Sequence, residues 1–148
     1  MNNFGGNQIP AFIGALKNLT YLNLSSASFG GMIPPTLGNL SSLQIVDLNN
    51  QYKEPTESDL SWITNISSLK YLNLGVELHL NQYGLFKLHA TLPSINFTSL
   101  LVLDLFDNDF SSTIPHWLFN MSSLEDLNLK INNLLGEFTD GFANLNLL

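Results

Sequence analysis

Apolar and polar positions alternate in five short windows of the chain. They are Leu19-Thr-Tyr-Leu22-Asn-Leu24, Leu43-Gln-Ile-Val46-Asp-Leu48, Leu69-Lys-Tyr-Leu72-Asn-Leu74, Leu100-Leu-Val-Leu103-Asp-Leu105 and Leu124-Glu-Asp-Leu127-Asn-Leu129. Successive side chains of a strand point to opposite faces, so the two apolar residues that close each window turn inward and the residue between them turns out. The pattern predicts strands near residues 21–25, 45–49, 71–74, 102–106 and 126–130.

Successive windows begin 24, 26, 31 and 24 residues apart, and Leu148 lies 24 beyond Leu124. What fills each interval also recurs. After Leu24 come the small residues Ser25-Ser26-Ala27-Ser28 for a turn, then Phe29 for the core. Gly30-Gly31 serve a second turn, and Ile33-Pro34-Pro35 an extended stretch outside any interior ladder. Leu37 and Leu40 then stand at the spacing of a short helical or 3₁₀ turn.

Later intervals align with this one: Ile114-Pro115 with Ile33-Pro34, Phe110 with Phe29, Leu118 with Leu37 and Asn120 with Asn39. Asn108 and Asn132, three residues past Leu105 and Leu129, are placed to bond backbone groups freed at the turn. Ala27 and Gln51 stand there in the first two repeats, so that asparagine ladder is incomplete.

Self-similarity at this period is the signature of a leucine-rich-repeat solenoid. The expected fold class is α/β: a right-handed curved parallel sheet, short helical or 3₁₀ turns on the convex side, and no caps. The array occupies residues 1–148, with a partial coil at 1–18 and repeats starting at 19, 43, 69, 100 and 124. Residues 75–96 are expected to be irregular, because Leu78-His79-Leu80 follows Leu72-Asn73-Leu74 by only six residues. Either the 31-residue repeat has an irregular return segment, or about one repeat is missing there. A second departure is the polar stretch Gln51 to Asp59, a lengthened solvated loop or a ligand-contacting one.

Composition narrows the function. The chain is 45% hydrophobic and 11% charged, which excludes disorder. Five Lys plus Arg and a net charge of −7 exclude a nucleic-acid surface and leave either a basic partner or a solvated acidic face. Without cysteine there is no disulfide framework, no thiolate metal site and no disulfide-bonded cap. The start, Met1-Asn-Asn-Phe-Gly-Gly6, is not a secretory leader, and no run is long enough to insert in a membrane.

Catalysis finds no constellation. His79, His89 and His116 fall on different coils without metal-ligand spacing, and Glu54, Glu57 and Asp59 sit in a polar loop. The expectation is a non-enzyme with neither cofactor nor metal. The candidate binding residues are instead those turned outward on the sheet: Tyr21, Asn23, Asp47, Asn49, Tyr71, Asn73, Asp104, Phe106, Asp126 and Asn128. The residue between the two inward positions is Asn or Asp in all five windows, either to hydrate the sheet or to meet a partner. Exposed aromatics such as Tyr21, Tyr71 and Phe106 are the types enriched at interface hot spots.

Six N-glycosylation sequons stand at Asn18, Asn23, Asn39, Asn65, Asn96 and Asn120. Asn39, Asn65, Asn96 and Asn120 recur just before a strand, on the side away from the sheet. With Asn18 they are the expected glycan positions of a secreted chain. Asn23 is set apart, because a glycan inside a strand would obstruct the sheet face.

Ile9-Pro-Ala-Phe-Ile13, Tyr21-Leu-Asn-Leu-Ser25, Gly31-Met-Ile-Pro-Pro-Thr-Leu-Gly-Asn-Leu-Ser-Ser42 and Thr113-Ile-Pro-His-Trp-Leu-Phe-Asn120 go beyond a generic repeat. The chain resembles the extracellular domains of plant leucine-rich-repeat receptor-like proteins, of the kind that sense pathogen-derived molecules. The resemblance implies a ligand-binding segment on the outer side of the plasma membrane, engaged in defence signalling. Its implied partners are a peptide, protein or glycan ligand and a co-receptor kinase.

In similar sequences a full repeat separates the motif like Leu72-Asn-Leu-Gly75 from that like Glu77-Leu-His-Leu80, which favours the missing-repeat reading. Two alternatives stay open: a soluble inhibitor of pathogen cell-wall hydrolases, and a truncated product without independent activity. Five strands about 4.8 Å apart present a face on the order of 250 Å². A stable protein interface takes about 800 Å² from each side, so flanking repeats are expected to complete it.

Overall fold

A computed structural model describes residues 2–49, 59–76, 93–94 and 97–137, and the backbone of 56–57 and 88–89. Each alternating window folds as a three-residue strand: β1 (Tyr21–Asn23), β2 (Ile45–Asp47), β4 (Tyr71–Asn73), β6 (Val102–Asp104) and β7 (Asp126–Asn128). They form one parallel sheet in the order β1-β2-β4-β6-β7. Tyr21, Ile45, Tyr71, Val102 and Asp126 stand in one row across it, and Asn23, Asp47, Asn73, Asp104 and Asn128 in another. The strands are shorter than the windows suggest, for a reason that belongs to the sheet face.

β4 pairs directly with β6, so the 31-residue interval spans a single step of the sheet. Most of the stretch expected to be irregular, 75–96, lies outside the described residues, as do Gln51 and Glu54. Within it Leu88–His89 (β5) pairs in parallel with Thr56–Glu57 (β3). Single parallel bridges join Gln8 to Gly30 and Thr113 to Leu135 at comparable places in other coils.

The helical turns are 3₁₀ among the described residues, at Ala11–Ala15, Pro35–Asn39, Ser61–Asn65 and His116–Asn120. Pro10, Pro34 and Pro115 precede three of them in extended conformation, with φ of −65°, −66° and −71°. Proline is suited there because its φ is already set and it has no N–H to lose. Each turn closes when the N–H of Leu16, Leu40, Ile66 or Met121 donates to the carbonyl of Ile13, Leu37, Ile63 or Leu118. The first three turns pack on one another in sequence and not on the strands, which places them across the coil from the sheet.

The core is the leucine ladder itself. Leu43, Leu69, Leu100 and Leu124 are buried, as are Val46, Leu48, Leu72, Leu74, Leu103 and Leu105. Phe29, Phe110, Ile33, Leu37 and Leu118 join them, as their alignment between repeats requires. Leu19, Leu24, Leu127 and Leu129 in the outer coils are partly buried against this core. Each coil thus supplies one layer whose apolar atoms are shielded only by the next.

In three coils the turn after the sheet takes left-handed backbone. Ser26, Asp107 and Ile131, each two residues past the last inward leucine, have φ of 52°, 50° and 57°. The asparagine that follows secures that turn in two coils. Asn108 Nδ2 donates to the carbonyls of Leu74 (2.9 Å), Leu105 (3.1 Å) and Phe106 (3.3 Å). Asn132 Nδ2 donates to those of Leu105 (2.8 Å) and Leu129 (3.0 Å), and its Oδ1 accepts from the N–H of Phe110. At the same place in the first repeat, Ala27 is buried.

Candidate binding face

The strand pairing sets the outward residues in rows. Tyr21, Asn23 and Asp126 are exposed, while Asp47, Asn49, Tyr71, Asp104, Phe106 and Asn128 are partly buried. Asn73 departs from the expectation of an open side chain: it is only 9% exposed. It lies in the central strand, flanked by β2 and β6, and its polar atoms are engaged at short range.

The Asn/Asp row has a local function that the residue pattern did not reveal. In all five strands a side-chain oxygen of this residue accepts the N–H two residues further on. Asn23 accepts from Ser25 (2.9 Å), Asp47 from Asn49 (3.2 Å), Asn73 from Gly75 (2.9 Å), Asp104 from Phe106 (2.9 Å) and Asn128 from Lys130 (3.2 Å). Each of these residues ends its strand. Asn and Asp are the side chains that make such turns, because their oxygen reaches a backbone N–H two residues on without strain. Polarity at this row is therefore a requirement of the turn before it is a property of the surface. The one signal available earlier was the restriction to Asn and Asp, where hydration alone would admit Ser, Thr, Gln or Lys.

Along the row the residues read Asn, Asp, Asn, Asp, Asn. Carboxylates on adjacent strands would stand about 4.8 Å apart and repel. The intervening amides prevent that and can bridge: Asn23 Nδ2 donates to Asp47 Oδ2 at 3.2 Å. The same nitrogen donates to the Tyr21 hydroxyl at 3.3 Å, and Asn73 Nδ2 to that of Tyr71 at 3.4 Å. The two Tyr-Leu-Asn segments thus tether a phenol to the sheet. Burial first of all raises the Tyr71 pKa above 10.0. The Asn73 hydrogen bond opposes that shift, and the carboxylates of Asp47, Asp104 and Asp126 add to it. Gly75 leaves the space that Phe106 uses, since a Cβ there would lie 3.3 Å from the Phe106 Cβ and 3.0 Å from Asp104 Oδ1.

The sequon asparagines lie elsewhere. Asn39, Asn65 and Asn120 are each the last residue of a 3₁₀ turn, and each is exposed. Asn18 is exposed just past the first turn, and Asn96 lies outside the described residues. The Ser-Ser pair after each of these turns divides its work. Its first serine (41, 67, 122) is exposed and completes the sequon. The second can join coils: Ser68 Oγ donates to the carbonyls of Ser41 (2.8 Å) and Leu43 (2.7 Å), and Ser123 Oγ to that of Thr98 (2.8 Å). Asn23 differs in that its amide nitrogen is already bonded to two partners on the sheet.

Among the described residues no group of three or more His, Asp or Glu is placed to hold a metal ion. No helix among them is long and apolar enough to cross a membrane. The arrangement offers a bonded polar floor with aromatic and carboxylate side chains on it, which suits recognition.

The family model described as Leucine Rich Repeat matches residues 18–40 and 99–121. Receptor-like protein EIX1 of Solanum lycopersicum is 37% identical over 169 residues, covering 98% of this chain and 16% of the relative. That alignment is longer than the chain, so the relative carries additional residues within it. Receptor-like protein 41 of Arabidopsis thaliana is 37% identical, covering 97% of this chain and 16% of the relative. The chain thus spans about a sixth of the length of these curated relatives.

Among solved structures, the Arabidopsis receptor kinase HAESA ectodomain in complex with an N-terminally extended IDA peptide hormone ligand aligns with a TM-score of 0.79 and 26% identity. It covers 98% of this chain and 24% of that one. The plant peptide hormone receptor RGFR1 in complex with RGF2 aligns at 0.75 and 29%, covering 95% and 21%. HAESA in complex with IDA and the co-receptor SERK1 aligns at 0.59 and 26%, covering 86% and 24%.

Proposed function

The chain belongs to the plant leucine-rich-repeat receptor-like proteins, and from that membership we propose that its sheet face is part of a ligand-sensing ectodomain. The ligand is a peptide, or an extended segment of a protein, lying across the strands. Its contacts are the rings of Tyr21, Tyr71 and Phe106 and the polar groups of Asp47, Asn49, Asp104, Asp126 and Asn128. Asn23 and Asn73 support these contacts by fixing the phenols. The observation that carries this reading is the pair of tethered tyrosines. A ring restrained by its own strand has less freedom to lose on binding, which is where aromatic contacts gain affinity.

The remainder of the proposal concerns the intact receptor. It stands at the plasma membrane with this segment outside, joins a co-receptor kinase when ligand is bound, and signals in defence. The ligand complexes of HAESA and RGFR1, and the co-receptor complex of HAESA, support peptide ligands and such a partner for solenoids of this kind. N-glycans at Asn18, Asn39, Asn65, Asn96 and Asn120 keep the surface away from the sheet hydrated and leave the sheet open.

The test is selection of displayed linear peptides on the 148-residue chain, followed by measurement against a Tyr21→Ala/Tyr71→Ala/Phe106→Ala variant. Peptides that bind the parent and lose at least about tenfold on the variant are expected, because hot-spot aromatics contribute about 2 kcal/mol each. Binding indifferent to all three substitutions would remove the sheet face from the reading.

A further inference from the structure

The turn-forming role of the Asn/Asp row leaves a remainder. Asn performs it at 23, 73 and 128, so nothing in that role calls for a negative charge at 47 or 104. Asp47 uses its second oxygen to accept from Asn23. For Asp104, the hydrogen bond formed among the described residues is the one from the Phe106 N–H to Oδ1, so Oδ2 is unengaged. The Asp126 carboxylate makes no hydrogen bond or ion pair with the described residues and is exposed.

Asp126 lies beside Val102 on the neighbouring strand, and Asp104 is two residues beyond Val102 on the same face. Tyr71 is the next residue of that row, on the other side of Val102. Its hydroxyl accepts from Asn73 and keeps its own proton to donate. The phenol senses both carboxylates together with that of Asp47. Lys70 and Lys130 bound this area along their strands, and neither is paired with Asp104 or Asp126. A face with the exposed Asp126 carboxylate beside Val102, the second oxygen of Asp104 two residues along the same strand, a tethered ring on the far side of Val102 and a chain charge of −7 is complementary to a cation.

We propose that the β4-β6-β7 part of the sheet face docks an arginine or lysine side chain of an extended basic peptide, held between Asp104 and Asp126 and against the ring of Tyr71. This rests on the reading of the sheet face as a peptide-binding surface and adds the charge of the ligand to it. Arginine suits the place better than lysine, because a guanidinium can bond two carboxylates and lie flat on a ring at once.

The experiment uses fluorescent nonapeptides of alternating glycine with arginine, with glutamate or with serine, titrated onto the full chain by anisotropy at low and physiological salt. The glycine-arginine peptide is expected to bind most tightly, and Asp104→Asn/Asp126→Asn to weaken it about tenfold, as the loss of two charged hydrogen bonds implies. Asn at 104 retains the oxygen that the Phe106 N–H needs, so this variant keeps the turn. Asp59→Asn/Glu137→Gln, which removes the same charge away from the face, is expected to leave binding within about twofold, the range for remote screened charges. Equal loss in both pairs would reduce the effect to net charge and overturn the proposal, as would no preference for the arginine peptide. Tyr71→Ala separates the two levels. Peptides that bind in a Tyr71-dependent way without regard to charge would sink only the cation site, whereas indifference of all three to Tyr71→Ala and Tyr21→Ala would sink the peptide reading beneath it.

Discussion

Replacing Asn108 tests whether the solenoid depends on side-chain hydrogen bonds inside its turns as well as on leucine burial. Asn108 is 1% exposed, and its Nδ2 serves three carbonyls, those of Leu74, Leu105 and Phe106. In Asn108→Ala the carbonyl of Leu105 keeps a donor from Asn132 and that of Phe106 keeps the Val76 N–H, but that of Leu74 loses its donor. A buried acceptor left without a partner costs about 1–3 kcal/mol, so the expected destabilisation is about 2 kcal/mol. For a domain near 150 residues that lowers Tm by roughly 6 °C.

Solenoids can open a few coils at a time, so a global melt should be paired with amide hydrogen exchange. Protection is expected to fall first at residues 103–110 and last at 43–48. Asn108→Asp sharpens the test, since it keeps the size and removes the donor. A carboxylate facing carbonyl oxygens is held in its neutral form, with its folded-state pKa raised. The variant should therefore be at its best below the unfolded pKa of Asp, about 3.9, and lose stability as pH rises through the folded value. Asn108→Ala within about 0.5 kcal/mol of the parent, or Asn108→Asp equal to it at neutral pH, would refute the account.

Further outcomes follow from single positions. Ile131 is a β-branched residue at φ 57° and is 42% exposed, so Ile131→Asn should stabilise by about 1 kcal/mol in a denaturant melt. Gly38→Ala should destabilise by about 2 kcal/mol in the same assay, because the new Cβ would lie 2.8 Å from the Trp62 carbonyl oxygen where two 3₁₀ turns stack. The Tyr71 phenol should ionise above 10.0 by absorbance near 295 nm, and Asp104→Asn/Asp126→Asn should bring it down; linkage makes its contribution present below 10.0 and lost as pH rises past the folded value. Secreted from plant cells, the chain should lose a glycosidase-sensitive mass increment with each of Asn39→Gln, Asn65→Gln and Asn120→Gln, and none with Asn23→Gln.

Periodicity alone determined the strands, their parallel sheet and the leucine core. The reason is geometric: alternation at period two sorts each window into inward and outward residues, and only stacked coils bury the inward ones. Asn108 and Asn132 were legible for the same cause, as polar residues at an inward place need backbone partners. What remained closed was the use of the outward row. Asn23, Asp47, Asn73, Asp104 and Asn128 face the surface by pattern, yet each turns an oxygen to its own backbone two residues on. That choice depends on φ and ψ after the strand, which a list of residue types does not contain. Which carboxylate is left over depended on more distant neighbours still. Residues 23 and 47 meet because their coils stack in register, and Asp104 and Asp126 share one part of the face because β6 pairs with β7. Side-chain direction follows from local covalent geometry, whereas hydrogen-bond partners across 24 to 31 residues of chain exist only once the coils have packed.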